Sequence, residues 1–314
     1  LICALIIAIV TFVICFIGCS NTVSSSSGDE QFAEENSSSS KDNGKNEGKS
    51  SSSQSSDENS EECVGESGSP WDGTTAKEFA CGSGTKLSPY VILNAEQLAH
   101  LSFVVGGNDA DYIGKYYKLG ADILLNDGKI INDKGALVAD SSKLHKWTPI
   151  GNSSVAFSGH FDGNGFSISG MFINTTSSHN GLFGNVSGSV SNLTVENSWV
   201  TGGKFTGGIV GYNTGNLKNL ANKSSVTSIS GPVGGVIGSS MNSYGKVSLI
   251  DSIFNFGVVK GKNDIGGVLG FIDRIKLTHA ENYGLVEGQK YTGGIWGGAQ
   301  STTVEANNLL NRGN

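Results

Sequence analysis

The chain has 314 residues, and 46 of them are glycine, roughly twice the average share in globular proteins, whereas only 16% are charged and 4 are proline. A collagen-like helix and a proline-rich spacer are thereby excluded. Residues 20–69 hold 11 acidic residues and 3 lysines, while residues 71–314 hold 17 acidic and 18 basic residues, so the net charge of −7 belongs to the first segment. Because the remainder lacks the basic field that attracts nucleic acid, we expect no nucleic-acid partner.

The chain opens on an apolar segment that predicts export. Residues 1–17 carry no charge, and their length lies between that of a secretory signal core and that of a membrane span. The run Phe16-Ile17-Gly18-Cys19 resembles the lipobox of bacterial lipoproteins. The resemblance implies that residues 1–19 are a signal peptide, that Cys19 is lipidated, and that a lipid anchor holds the protein at the bacterial outer membrane or cell surface. An uncleaved membrane anchor is the alternative, and either one tethers the protein outside the cytoplasm. No Met or basic segment precedes Leu1, so we expect the natural chain to begin upstream.

Residues 20–69 are expected to be a disordered linker. They contain 18 serines interleaved with acidic residues, lysine and glycine. Such a segment cannot bury enough apolar surface to offset the entropy cost of ordering, and its carboxylates repel one another. We expect it to hold the folded part away from the membrane.

The cysteines divide between the signal and the folded part. Cys3 and Cys15 leave with the signal, and Cys19 takes the lipid. Cys63 and Cys81 remain in an oxidising compartment, where we predict that they form a disulfide. Two free thiols are the alternative. No zinc ligands lie near them in the sequence, and we expect neither a metal nor another cofactor.

Residues 70–175 predict an N-terminal cap and the first coils of a solenoid. Asn94 is a suitable N-cap of a helix, with Gln97 three residues on, as in a capping box. The helix then has an apolar stripe of three residues, Leu98, Leu101 and Val105. We assign this helix to the cap that covers the open end of a solenoid. Residues 117–123 read as a strand, and residues 161–166 as strand, turn and strand.

Residues 176–314 contain a glycine-rich repeat. The motif has two glycines, two apolar residues and a third glycine, and its four copies are Gly207–Gly211, Gly234–Gly238, Gly266–Gly270 and Gly293–Gly297. A reduced copy precedes them at Gly181–Gly184. Counted from the glycine directly before each apolar pair, at positions 181, 208, 235, 267 and 294, the spacings are 27, 27, 32 and 27 residues. A second marker, asparagine followed two residues later by glycine, recurs at nearly the same interval, at Asn255, Asn282 and Asn311. The longer interval predicts an extra loop at residues 242–246.

Each repeat has short β-type stretches and no helical period, which predicts an all-β fold. One repeat offers three of them, Ile209–Val210, Leu217–Leu220 and Val226–Ile229, separated by glycine, asparagine and serine. Coils of three strands that stack in parallel form a right-handed parallel β-helix, a solenoid whose handedness follows from the usual crossover rule. Glycine at a fixed phase is expected to permit corners of positive φ and close approach between coils.

The order of the motifs is similar to that of GLUG-repeat bacterial surface proteins. The segments that carry the resemblance are Pro89–Ile92, Asn94–Leu98, Lys118–Ile123, Trp147–Gly151, Phe161–Gly170 and Gly181–Gly184. It covers about residues 70–314. The resemblance implies an exported, adhesin-like protein. GLUG repeats also occur beside the peptidase region of IgA-cleaving metallopeptidases, but the repeats bring no catalytic residues.

No catalytic residues are predicted from the chain itself. Its 5 histidines include no pair one helical turn apart around a glutamate, as a zinc peptidase needs. Four repeat carboxylates fall at different phases, namely Glu196, Asp251, Glu281 and Glu305. They therefore form no column of the kind that a β-helical polysaccharide enzyme uses. The turn at Asp162–Gly165 offers too few oxygens for calcium. We expect a protein that is not an enzyme, with a β-helical carbohydrate-active enzyme as an alternative.

Phe256 and Tyr283 are the candidate ligand-binding residues. Each follows an asparagine of the second marker, so the two rings share one phase and are able to stack on sugars along one face. The alternative is that they pack in the core or cover it. Asn255, Asn282 and Asn311 are predicted to form an internal hydrogen-bonded ladder rather than a ligand site.

These features predict a membrane-tethered extracellular β-helix that acts in adhesion and binds polysaccharide or a cell-surface protein. The alternative is a non-catalytic stalk or spacer of a larger surface enzyme, either a peptidase or a carbohydrate-active enzyme. The last marker stops at Asn311-Arg312-Gly313, where earlier copies continue. We therefore expect the chain to be truncated inside a coil.

Overall fold

The computed structural model describes Cys63 and residues 68–300 and 303–313. The predicted signal of residues 1–19 and the lipidation of Cys19 lie outside the described residues. Nearly all of the predicted linker 20–69 lies outside them as well, so these three remain predictions.

The described part is almost entirely β-structure with a single α-helix, α1 (Ala95–Gly106), and a single 3-10 turn (Ala110–Tyr112). The first strands are β1 (Tyr90–Ile92), β2 (Tyr116–Leu119), β3 (Ile123–Leu124), β4 (His160–Asp162), β5 (Ser167–Ser169), β6 (Phe172–Asn174), β7 (Phe183–Val186), β8 (Ser189–Gly202), β9 (Thr206–Gly207), β10 (Val210–Asn213), β11 (Asn216–Ser228) and β12 (Val233–Gly234). The later strands are β13 (Ile237–Met241), β14 (Ser248–Asn255), β15 (Val259–Lys260), β16 (Asn263–Gly266), β17 (Leu269–Asp273), β18 (Ile275–Leu277), β19 (Ala280–Asn282), β20 (Val286–Glu287), β21 (Lys290–Gly293), β22 (Trp296–Ala299), β23 (Val304–Ala306) and β24 (Leu309–Asn311).

These strands form three sheets whose order follows a winding chain. The largest sheet has the path β1-β2-β4-β8-β11-β14-β18-β23, the second has the order β22-β17-β13-β10-β7, and the third has the order β21-β16-β12-β9. Pairs such as β8 with β11 and β10 with β13 are parallel, as a chain that always winds in one direction requires. The fold is therefore a parallel β-helix with a short helical cap, which confirms the predicted fold class.

The predicted repeat corresponds to one coil of this helix. Val210 pairs with Phe183 and with Ile237, each 27 residues away. Ile237 then pairs with Leu269 at 32 residues, and Leu269 with Trp296 at 27. β13 ends at Met241 and β14 begins at Ser248, so the extra residues form a loop where the longer interval predicted one.

The strands within a coil differ from the prediction. The two stretches at Leu217–Leu220 and Val226–Ile229 belong for the most part to β11, a strand of 13 residues that bends at Asn219 (φ 52°) and shifts register between Lys223 and Ser225. Pairing between β8, β11 and β14 continues across the bend, because these three strands bend at the same place, at Asn192, Asn219 and Ser252. The strand, turn and strand predicted at residues 161–166 correspond to β4, the turn after it and β5, and both of these strands pair in parallel with β8.

The repeat glycines allow neighbouring chain segments to approach closely, and they do not adopt positive φ values. The glycines of the four full motifs lie outside the left-handed region, which corrects the expectation that they form positive-φ corners. A Cβ atom on Gly208 or Gly235 would instead collide with an asparagine of the same coil and with a carbonyl oxygen of the next. The left-handed corner is taken by Asn192, Asn219 and Ser252, of which asparagine tolerates this conformation best.

A ladder of asparagines crosses the interior, as predicted, and it is one coil longer than predicted. The Nδ2 group of Asn222 donates to Oδ1 of Asn255 at 2.9 Å, that of Asn255 to Asn282 at 2.8 Å, and that of Asn282 to Asn311 at 2.8 Å. The asparagines face a column of glycines, namely Gly208, Gly235, Gly267 and Gly294. The two sequence markers are thus the two sides of one contact.

Aliphatic columns fill the rest of the interior. Residues that pair from coil to coil are fully or almost fully buried, as in the column Val190, Leu217, Ile250 and Leu277 and the column Leu193, Leu220, Ile253 and Ala280. Complete burial of one such aliphatic side chain contributes about 1.5–3 kcal/mol.

The cap follows the predicted pattern. Asn94 caps α1 by accepting a hydrogen bond from the Gln97 amide at 3.1 Å, and the Gln97 side chain accepts one from the Leu93 amide at 2.7 Å. The predicted apolar stripe of α1 is buried.

Cys63 and Cys81 are joined by a disulfide, with their Cα atoms 6.6 Å apart.

Candidate binding surface

One column of side chains projects outward beside the asparagine ladder. Side chains alternate across a strand, so the residue after each inward asparagine faces solvent. The strand registers place four such residues on successive coils, namely Lys223, Phe256, Tyr283 and Arg312, and they pair Lys223 with Glu196, which follows Val195 on the preceding coil. We call this set the outer column. It contains both predicted ligand-binding residues.

Phe256 and Tyr283 form an exposed aromatic stack. Their ring centroids are 5.0 Å apart and their planes differ by 7°, and the side chains remain 47% and 38% exposed. The Cζ atom of Arg312 lies 5.8 Å from the centroid of the Tyr283 ring, a cation–π distance. The register places Arg312 one coil beyond Tyr283, so this ring lies between Phe256 and the guanidinium. Tyr283 therefore presents its edge and hydroxyl to solvent, whereas Phe256 keeps one face free of aromatic contact.

A hydrogen-bonded network extends from the stack. The Tyr283 hydroxyl donates to Oε2 of Glu281, and Oε1 of Glu281 lies 2.7 Å from Nε2 of His279. The bond from Tyr283, followed by that from His279, lowers the pKa of Glu281, and the same bond to Glu281 raises the pKa of Tyr283. Residues 279, 281 and 283 share one face because they are two positions apart. This period-2 pattern is the signal by which the sequence analysis could have found Glu281 and His279.

Carboxylates on the outside of the coils pair with lysines of neighbouring coils. Lys223 lies 3.4 Å from Glu196, and three further pairs have the same arrangement: Lys218 with Asp251 at 3.8 Å, Lys260 with Glu287 at 2.9 Å, and Lys276 with Glu305 at 3.5 Å. Three of the four acidic residues singled out in the sequence thus face a lysine of a neighbouring coil, whereas Glu281 bonds to groups of its own coil. They do not stack on one another.

The turn at Asp162–Gly165 is held by its own hydrogen bonds. Oδ1 of Asp162 accepts from the Asn164 amide at 2.8 Å and from Nδ2 of Asn192 at 2.9 Å. Asn164 and Gly165 have φ values of 53° and 84°, as a tight turn requires. Across the residues that the structure describes, no group of three or more His, Cys, Asp or Glu side chains is arranged to hold a metal ion.

Comparison with known proteins finds relatives that match part of the chain and a solved structure of similar fold. No protein-family model matches the chain. A 128-residue part, 39% of the chain, is 37% identical to a protein of Evansella cellulosilytica named "Putative Gly-rich membrane protein", and the match covers 13% of that protein. A 154-residue part, 47% of the chain, is 32% identical to "Halomucin" of Haloquadratum walsbyi, of which it covers 2%. The chain thus spans a small fraction of these relatives.

A solved structure shares the architecture. It is a crystal structure described as "a putative immunoglobulin A1 protease" from Bacteroides ovatus, with a TM-score of 0.51, 18% identity, and coverage of 74% of this chain and 80% of that one. At this identity the likeness concerns the fold alone. Within residues 68–300 and 303–313, no helix has both the length and the apolar character needed to cross a bilayer. The GLUG resemblance and the lipoprotein signal stay predictions.

Proposed function

We propose that this protein is a membrane-tethered, extracellular β-helix that binds glycan polymers through its outer column and so acts in adhesion at the cell surface. The observation that supports the proposal most strongly is the exposed stack of Phe256 on Tyr283. An exposed aromatic pair leaves apolar surface in contact with water and adds nothing to the packing of the core. Its position therefore suits contact with a ligand.

The groups around the stack suit a polyhydroxylated polymer. Tyr283, Glu281, His279 and Arg312 supply hydrogen-bond donors and acceptors beside the apolar rings. Successive coils repeat at the spacing of parallel strands, about 4.8 Å. A polymer of similar units can therefore contact the side chains of the outer column one after another.

A stalk or spacer that projects a larger surface enzyme is the second candidate. The observation that favours it is the likeness in fold to the Bacteroides ovatus structure, because that protein is named as a protease. The two candidates differ in one respect. A spacer has no affinity of its own for a glycan.

The test is retention on immobilised polysaccharides, with the full chain held in a polyoxyethylene detergent that contains no sugar. We expect retention of the native chain on at least one neutral polysaccharide. We expect at least a tenfold loss when Phe256→Ala and Tyr283→Ala are combined, since stacked aromatic contacts each contribute about 1 kcal/mol. Tyr244→Ala is the matched control, because Tyr244 is 95% exposed and lies in the loop after β13. A native chain that is retained on no polysaccharide contradicts binding and favours the spacer.

The tether has a separate test. Expression in a bacterium fed a labelled fatty acid should label the native chain and leave Cys19→Ala unlabelled. A labelled Cys19→Ala chain, or an unlabelled native chain that stays in the membrane fraction, would contradict lipidation at Cys19 and favour an uncleaved anchor.

A further inference from the structure

A loop from the long early coil lies against the lateral face of later coils. This loop, residues 128–139, is closed on itself by an antiparallel bridge between Ile131 and Leu137. The Asn132 amide donates to the Ala136 carbonyl at 2.9 Å, and the Val138 amide donates to the Ile130 carbonyl at 2.9 Å. The 128–139 loop is therefore an ordered hairpin-like element.

The 128–139 loop is fixed to the coils at two points. Asn197 accepts a hydrogen bond from the Ile130 amide at 2.9 Å and donates one to the Gly128 carbonyl at 2.8 Å. Further along, Gly135 packs so closely on Val258 that a Cβ atom at Gly135 would lie 2.8 Å from the Val258 Cβ. These contacts hold the loop beside the outer column.

A cleft of about 330 Å³ lies between the loop and the column. The loop contributes Asn132 and Asp133 to its wall, and the coils contribute Glu196, Lys223 and Phe256. Its size is at the lower end of the range for small-molecule sites. The cleft is therefore large enough for a small unit of a polymer.

The Phe256 ring lines this cleft. Tyr283 covers the face on the side of the next coil, and the register places Lys223 on the other side. Lys223 and Phe256 line the cleft and Tyr283 does not. The Lys223 ammonium is engaged by Glu196 at 3.4 Å, so it forms an ion pair beside the ring. An apolar ring thus lies among the polar groups that line the cleft.

The charges in the cleft are already paired. Glu196 has Lys223 as its partner, and Asp133 has Lys129 at 3.0 Å. A phosphate or a carboxylate ligand would meet two carboxylates, and a cationic ligand would compete with two lysines. A hydroxyl group both donates and accepts, so it can bond to a carboxylate and to its ammonium partner together.

We propose that this cleft is a binding site for one neutral pyranose unit, whose C–H face packs on Phe256 and whose hydroxyls bond to Glu196 and Lys223. The inference rests on the proposed glycan-binding function and specifies the sugar class and the place. Asp133 and Asn132 supply further hydrogen bonds from the loop.

The test is saturation-transfer NMR of the full chain, in the same sugar-free detergent, with three hexasaccharides of different charge. N-acetylchitohexaose is neutral, chitohexaose with free amines is cationic, and hexagalacturonate is anionic. We expect transfer to the neutral hexamer alone. Glu196→Gln should weaken binding about tenfold, because a charge-assisted hydrogen bond is lost. Glu305→Gln breaks an equivalent ion pair on β23, outside the cleft, and should leave binding unchanged.

A second variant keeps the test valid if Glu196→Gln folds poorly. Gly135→Val should move the loop away from Val258 and abolish transfer, with an unchanged circular dichroism spectrum. Transfer to the cationic or the anionic hexamer alone, or none to the neutral one, overturns the proposal.

The outcome separates this inference from the proposed function. Polysaccharide retention that survives both Glu196→Gln and Gly135→Val rejects only the cleft. Neutral hexamer binding without polysaccharide retention rejects only the proposed function. Loss of both rejects both.

Discussion

The N-terminal cap and the first coils bury many aromatic rings in the interior, whereas one aromatic pair of the later coils lies on the outer surface. Phe79 and Tyr117 are buried, and their ring centroids lie 5.5 Å apart within a larger aromatic cluster. Among the described residues, the buried aromatic side chains all lie at or before Phe183. Phe256 and Tyr283, by contrast, stack on the outside.

The difference follows from the length of the coils. Tyr117 pairs with Phe161, which is 44 residues away, while the later coils advance by 27 residues and once by 32. In the short coils, glycine faces asparagine across the interior, and this close approach leaves room mainly for amide, hydroxyl and aliphatic side chains. The long coil has an interior that accommodates rings and extra chain that forms the 128–139 loop. The cleft therefore needs both kinds of coil.

The largest expected effect comes from closing the gap that glycine leaves in a short coil. Gly235→Val would place side-chain atoms against Asn255 and against the Gly267 carbonyl of the next coil. We expect a loss of about 3 kcal/mol in the free energy of unfolding, measured by urea denaturation. Gly106→Ala is the control, since no atom lies within 4 Å of the added methyl group. Equal urea midpoints for Gly235→Val and the native chain would show that the coils can separate freely there.

The next effect concerns the amide ladder. Asn255→Ala removes the acceptor of Asn222 and the donor to Asn282, both of which are buried. Leaving these groups unpaired should cost about 2 kcal/mol, measured in the same denaturation experiment. Asn311→Ala removes only the end of the ladder and should cost less. A smaller loss for Asn255→Ala than for Asn311→Ala would contradict a cooperative ladder.

In the cap, the buried polar contact to compare with the asparagine ladder is one hydrogen bond. The buried Tyr117 ring donates its hydroxyl to the Tyr112 carbonyl at 2.9 Å. Tyr117→Phe keeps the ring in the cluster and should cost about 1 kcal/mol in thermal or urea unfolding. Tyr116→Phe, on the adjacent outward-facing position of β2, should have almost no effect. Equal losses for the two variants would show that the hydroxyl bond of Tyr117 contributes nothing of its own.

The short coils are easier to predict from the sequence than the cap, because their contacts repeat from one coil to the next. The two markers are local signatures of one contact, glycine against asparagine, and the contact recurs at the period of the coil, so Val210 and Ile237 pair as the spacing predicts. In the cap the decisive contacts join distant residues only once. The Asn126 side chain, for example, bonds to the His145 and Gly170 carbonyls. Such a contact does not recur at a fixed interval, so the sequence carries no periodic signal for it.

Part of the candidate site was predicted from the repeat, and part of it was not. The phase of the second marker predicts that Phe256 and Tyr283 share one face. The cleft was not predicted, because it depends on the packing of Gly135 against Val258, two residues that are far apart in sequence. The continuous strand β11 was missed because the polar residues between its two apolar stretches, where its register shifts between Lys223 and Ser225, read as a break between two strands.

The smallest expected effect is a shift in the titration of the outer surface. The hydrogen bond from Tyr283 holds the pKa of Glu281 below its ordinary value. A lowered folded-state pKa means that this carboxylate favours the folded state above its ordinary pKa and loses that contribution as the pH falls through the lowered pKa. Tyr283→Phe keeps the stack on Phe256 but removes the bond, so the pKa of Glu281 should rise toward its ordinary value. Side-chain NMR titration of Glu281 measures this shift, with Glu305 as the control. An unchanged titration of Glu281 in Tyr283→Phe would show that His279 alone holds the carboxylate. The stack and the network would then be independent features of the outer column.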